Sequence, residues 1–199
     1  MDKGVDIDMI LNQEYLREQI SLAHSQYANE RSAILNENAA IFAKRKKYDV
    51  FLSHSYLDKE LVYKLVEIFN EAGYSVYVDW MIDKQLDRSQ VDAETAQTLR
   101  ERMKDCKGLA YVATSNITLS KWCPWELGYV DGNKNGRCAI LPILKNNGDA
   151  FKGQEYLGLY PYIDYETTRQ TGKYDFWVND PKEVNKYKRL RAWLDGEDL

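Results

Sequence analysis

Apolar residues recur at mostly helical spacing from about Asp8 to Ala43, through Leu11, Tyr15, Leu16, Ile20, Tyr27 and Ile34, and neither proline nor glycine interrupts them. The pattern predicts an N-terminal helical extension over residues 1–45, of one or two helices, packed on the main domain or on another protomer. Beyond it the period changes. Residues 48–52 form a short apolar run, and residues 58–71 place Leu61, Leu65, Ile68 and Phe69 on one helical face, closed by Gly73. A second strand follows at 75–79, then a polar stretch, 80–91, longer than the usual connection. Asp92 is placed to cap a helix over 92–105, residues 109–113 read as a third strand, and Ser120 opens a helix to about Asp131. Further strands are expected at 137–144 and 160–165, and a terminal helix at 181–194 with Pro181 in its first turn.

Short apolar strands alternating with amphipathic helices imply an α/β fold, a parallel sheet with helices on both faces, because parallel neighbours need crossovers. Ligands in such sheets bind beyond the carboxyl ends of the strands. The segments after Leu52, Asp79 and Ala113 are therefore the places to look for chemistry.

Composition narrows the function classes. At 199 residues, with 44% hydrophobic and 29% charged positions, the chain fits one domain with one core, residues 46–199 after the extension. A net charge of -4 gives no general attraction to nucleic acid, and the basic residues 44–47 read as a solvated lead-in to the first strand. No apolar run approaches the roughly 20 residues a bilayer requires, and no signal peptide is legible, so no membrane contact and a cytoplasmic location are expected. Cys106, Cys123 and Cys138 lack metal-ligand spacing, so neither a metal site nor a disulfide framework is expected. No glycine-rich phosphate loop is present, which argues against oxidoreductase and NTPase chemistry.

Four blocks resemble the Toll/interleukin-1 receptor (TIR) domain family in its order and spacing over about residues 46–145. They are Tyr48-Asp49-Val50-Phe51-Leu52-Ser53-His54-Ser55, then Gly73-Tyr74-Ser75-Val76-Tyr77-Val78-Asp79, then Ser120-Lys121-Trp122-Cys123-Pro124-Trp125-Glu126-Leu127, and Ala139-Ile140-Leu141-Pro142-Ile143. The resemblance implies a flavodoxin-like fold with a five-stranded parallel sheet. It also implies that residues 80–91 stand where the family has its BB loop. In the NAD-cleaving branch a glutamate follows a tryptophan by four positions in the helix after the third strand, and Trp122 and Glu126 match that arrangement. NAD+ would then be substrate rather than cofactor. The chain resembles stand-alone bacterial TIR proteins of the Thoeris type, which answer phage infection by making a cyclic or conjugated ADP-ribose signal for a separate effector.

The residue types suit that chemistry. Positions four apart share a helix face, so the Trp122 ring and Glu126 carboxylate can line one cavity. Nicotinamide leaves ribose through an oxocarbenium-like transition state, which a fixed carboxylate stabilises. Trp122 is read as an aromatic wall or as a core anchor, and Trp125 as structural. Ser53, His54 and Ser55 are candidates to bond phosphate or ribose oxygens, or else form a turn that caps the next helix. Asp79 is a candidate for a ribose hydroxyl or for fixing the loop, and Lys84 and Arg88 for the pyrophosphate across a subunit boundary, or else for a solvated loop of mixed charge. A homo-oligomer through TIR–TIR contacts follows from the same resemblance. The rival reading is a non-catalytic TIR scaffold acting by self-association. A phosphoacceptor receiver using Asp79 is rejected, because Ser53-His54-Ser55 stands where receivers place an acidic pair.

Overall fold

Strand β1 (Tyr48–Ser53) pairs in parallel with β2 (Val76–Tyr77) on one side and with β3 (Cys106–Ala113) on the other. The computed structural model describes residues 11–18, 47–83, 86, 91–145, 155–183 and 185–199. Strand β4 (Cys138–Pro142) continues the parallel sheet beyond β3, and β5 (Tyr162–Thr167) pairs in parallel with β4. Nearly every residue of these central strands is buried, as expected where helices cover both faces. Two antiparallel strands, β6 (Tyr174–Asn179) and β7 (Tyr187–Arg189), extend the edge and give a seven-stranded sheet of order β2-β1-β3-β4-β5-β6-β7.

The five expected parallel strands are present, and β6 and β7 add two antiparallel strands beyond them. The helix expected over residues 181–194 is corrected. Residues 187–189 pair with β6, Trp177 opposite Arg189 and Asn179 opposite Tyr187, and only Leu190–Leu194 form a helix, α6. The free edge of β6 presents unpaired backbone groups, and pairing with them outweighs a local helical period.

Two apolar layers flank the sheet. Helix α2 (Lys59–Glu71) and α6 share one layer with Leu11 and Leu16, which belong to the short N-terminal helix α1 and its lead-in (residues 13–18 helical). Helix α4 (Ala93–Asp105) and α5 (Trp122–Asn133) share the other; α3 is a single turn (Asp79–Ile82). The rest of the expected extension, residues 1–10 and 19–45, lies outside the described residues. Residue 13 donates its N–H to Leu144 O at 2.7 Å, which docks the N-terminal segment against the end of the β4 strand.

Three local features fix this packing. Helix α2 ends at Gly73, whose φ of +86° is open to glycine at little steric cost. A Cβ on Gly108 would meet Leu194 Cδ2 at 2.7 Å and Arg137 O at 2.8 Å, so a side chain there would push α6 off β3. Arg191 of α6 clasps the amino end of the sheet: it bonds Asp49 Oδ1 at 2.6 Å and Gly73 O at 2.7 Å, and its backbone N–H donates to the Tyr74 hydroxyl.

Candidate active site

Ser53 closes β1 and Glu126 lies in the second turn of α5, 73 positions later, yet the Ser53 hydroxyl donates to Glu126 Oε2 at 2.6 Å. The fold brings the two residues together. Strand β3 carries the chain past β1, with Ser53 opposite Tyr111, and α5 returns over that face with Trp122, Cys123, Glu126, Leu127 and Val130 buried. Ser120 supports the start of α5 by accepting from Cys123 N–H at 3.2 Å, and Pro124 in the first turn lacks an N–H that the helix does not need there. Glu126 and Ser53 are both 0% exposed. A buried carboxylate held by a hydroxyl is costly to desolvate and recurs where chemistry needs it.

The segment after β1 is stitched to its neighbours by further polar contacts. His54 is buried, with Nδ1 2.7 Å from Leu52 O and Nε2 2.7 Å from the Trp80 indole nitrogen. An indole N–H only donates and a carbonyl only accepts, so the proton sits on Nδ1 and the ring is neutral. Asp79 Oδ1, 3.8 Å from Nε2, is therefore near a neutral ring and forms no ion pair with it. Cys123 Sγ donates to the His54 carbonyl at 3.1 Å, which ties this segment to α5 one turn before Glu126. Asp58, also buried, accepts from the Thr114 hydroxyl at 2.5 Å and the Asn116 amide at 2.6 Å, joining the segments after β1 and β3. Burial, then the neighbouring Tyr156, Cys123 and Glu126, push the Tyr111 phenol far above its usual range, so it forms a neutral floor beside Ser53.

The remaining expected residues fall into place unequally. Trp122 is buried in the core layer of α4 and α5 and meets Trp125 edge-on at 5.4 Å, so the structure gives it the packing of an anchor. Ser55 caps the single turn Tyr56–Asp58, accepting from Leu57 N–H. Asp79, expected at the end of a strand, instead opens α3 and is buried. Lys84 and Arg88 lie outside the described residues. Asp58, Thr114, Asn116, Cys123 and Trp80 were not foreseen as part of the site, and only the position of their segments at the strand ends pointed to them.

A solvent-open cavity of about 400 Å³ lies at the opposite, amino end of the strands, between Tyr48, Ser75, Lys104 and Lys107, and touches none of these residues. Among the described residues no cluster of three His, Cys, Asp or Glu side chains could hold a metal ion, and no helix is long and apolar enough to cross a membrane.

Residues 50–177 match the family described as TIR domain, a span that runs from β1 into β6 and contains Ser53, Trp122 and Glu126. The chain is 45% identical over 189 residues to a Bacillus cereus protein named "Probable 3' cyclic ADP-D-ribose synthase ThsB'", covering 93% of this chain and 94% of that one. It is 30% identical over 140 residues to an Acinetobacter baumannii protein named "2' cyclic ADP-D-ribose synthase AbTIR", covering 68% of this chain and 49% of that one.

Proposed function

Because this chain belongs to the TIR domain family, we propose that it breaks the nicotinamide–ribose bond of NAD+ and closes the remaining ADP-ribose into a ring. One observation carries the reading: a buried carboxylate, Glu126, held by Ser53 at the carboxyl ends of a parallel sheet. The cyclic ADP-D-ribose synthases to which the chain is similar support the same chemistry.

The bond between ribose C1′ and the nicotinamide nitrogen breaks with its electron pair going to the ring, which leaves neutral, and C1′ is left with positive charge. Glu126 faces that charge, and Ser53 fixes the orientation of its carboxylate. A hydroxyl of the second ribose of the same molecule then adds to C1′ and gives up its proton, for which Glu126 is the base. Burial of the pair keeps water from competing for C1′. Burial also means that substrate reaches Glu126 only after covering side chains move, so turning the enzyme on is a structural event. Assembly into a homo-oligomer supplies such an event, and specific activity should then rise with protein concentration.

The product is a diffusible signal in bacterial antiphage defence, read by a separate effector. Cells carrying the chain should resist phage only when that effector is co-expressed; resistance from the chain alone would remove the second protein from the scheme. The reaction itself is tested by incubating the assembled protein with NAD+ and resolving products by chromatography and mass spectrometry. Nicotinamide and a cyclic ADP-ribose should appear together, and comparison with 2′ and 3′ isomers assigns the linkage. Undiminished NAD+ at concentrations where light scattering shows an oligomer would leave a TIR scaffold without catalysis.

A further inference from the structure

We infer that Lys59 is the cation that receives the substrate's pyrophosphate, seated between Tyr56 and Trp80 on the rim of the Glu126 site. The inference rests on the proposal that NAD+ is the substrate and names a contact for it within the same chain. In NAD+ the pyrophosphate lies one ribose away from the bond that breaks, so its partner must sit on the same rim as Glu126. That rim holds the carboxylates Glu126, Asp58 and Asp79, all buried. A dianionic pyrophosphate is repelled by them unless a positive charge faces it.

Lys59 opens α2, directly after the turn Tyr56–Asp58, and its ammonium lies 4.6 Å from the Trp80 ring centroid and 5.2 Å from that of Tyr56. Trp80 is itself fixed: its indole N–H is bound by His54, and Tyr63 meets it edge-on at 4.6 Å. A continuous set of contacts therefore joins Lys59 to Trp80, to His54, and through the adjacent Ser53 to Glu126. The rings orient the ammonium without cancelling its charge, as a carboxylate would. Asp58, the neighbouring acid, is turned inward and occupied by Thr114 and Asn116, and no ion pair to Lys59 occurs among the described residues. Lys107 at the other end of the sheet shows the contrast, with Asp49 at 3.1 Å and Asp195 at 2.6 Å. An ammonium bound by π faces exchanges that attraction for stronger charge-assisted hydrogen bonds when phosphate oxygens arrive. Lys121 also stands on the catalytic rim, just before α5, but it is exposed and its charge is screened by solvent.

The test is steady-state cleavage of NAD+ by the full chain and its Lys59→Met, Lys59→Arg and Lys121→Met variants. Met keeps the apolar stem against Trp80 and removes only the charge. Lys59→Met should raise KM about tenfold with kcat within about twofold, Lys59→Arg should restore most of the affinity, and Lys121→Met should behave as wild type. Added salt should raise the wild-type KM more steeply than that of Lys59→Met. An unchanged KM in Lys59→Met, or a fall in kcat at constant KM, overturns the assignment and leaves Lys59 as a prop for Trp80. Calorimetric titration with ADP-ribose separates this outcome from failure of the reaction itself. If wild type binds ADP-ribose but does not cleave NAD+, the catalytic reading fails while a roughly tenfold weaker binding by Lys59→Met still supports the contact; equal binding by both proteins overturns it.

Discussion

At the amino ends of the strands, Asp49 accepts from the backbone and hydroxyl of Ser75, both at 2.9 Å, and is ion-paired with Arg191 at 2.6 Å and Lys107 at 3.1 Å. At the carboxyl ends, Glu126 accepts from the Ser53 hydroxyl, and Asp58 from the Thr114 hydroxyl and the Asn116 amide. The first carboxylate meets cations that cancel its charge near the surface. The second pair is oriented in the interior by hydroxyl and amide donors. Ion pairs at a partly exposed end hold the fold together at small cost, whereas an oriented, buried carboxylate is a poor investment in stability and a good one in stabilising a cation.

Glu126→Gln tests that division most severely. It keeps the shape and the hydrogen bond from Ser53 but removes the charge, so nicotinamide release should fall by about two to four orders of magnitude while circular dichroism stays unchanged. Wild-type turnover in that variant would put the chemistry elsewhere. Ser53→Ala should have the next largest effect, slowing kcat about tenfold or more and lowering stability by roughly 1–3 kcal/mol, because it leaves a buried acceptor without this donor. Equal denaturation midpoints for variant and parent would show that Ser53 does not support the carboxylate. Trp122→Phe, which keeps an aromatic core residue, should change the ratio of cyclic to linear product by about threefold if the ring lines the reacting ribose. A constant ratio would confine Trp122 to packing.

The smallest effect belongs to the amino end. Asp49→Asn should cost about 1 kcal/mol and leave NAD+ turnover at the wild-type level. Burial would push the Asp49 carboxyl up, but Ser75, Lys107 and Arg191 together hold it below its ordinary value. A depressed folded-state value means that its stabilising contribution is complete above about pH 4 and is lost as pH falls through the folded value. Urea titrations from neutral pH down to about pH 2 should therefore show a shallower acid loss in Asp49→Asn than in wild type. Parallel curves would remove Asp49 from the acid response.

The central parallel strands were legible because each is a short buried apolar run, and α2 because Leu61, Leu65, Ile68 and Phe69 form a helical stripe, whereas α5 shows no such stripe and was placed by Ser120 at its start. Asp92 also caps α4 as its position suggests, accepting from Thr95 N–H at 2.7 Å. The antiparallel strands were less so. β6 follows a turn containing Gly172 at φ +63°, a hairpin signal, but β7 is three half-buried residues whose strand character comes only from the edge they pair with. Trp80 read as loop because its helix is one turn long. For the site, Glu126 and Trp122 stood out through spacing within one helix. Asp58 did not, because its role depends on Thr114 and Asn116, 56 and 58 positions away, and a residue before a helix reads equally well as its cap.

The clasp made by Arg191 has a consequence for how the protein is made. Asp49 and Arg191 are 142 positions apart, so at about 5–20 residues per second the first strand waits roughly 7–30 s for the side chain that locks its amino end. Ser53 and Glu126 are both synthesised well before that. Chains arrested short of residue 191 should be cut by protease within β1 where finished chains resist; equal resistance would show that the clasp is dispensable. Helix α6 thus seals β1 across a long stretch of sequence, and this contact forms late in synthesis.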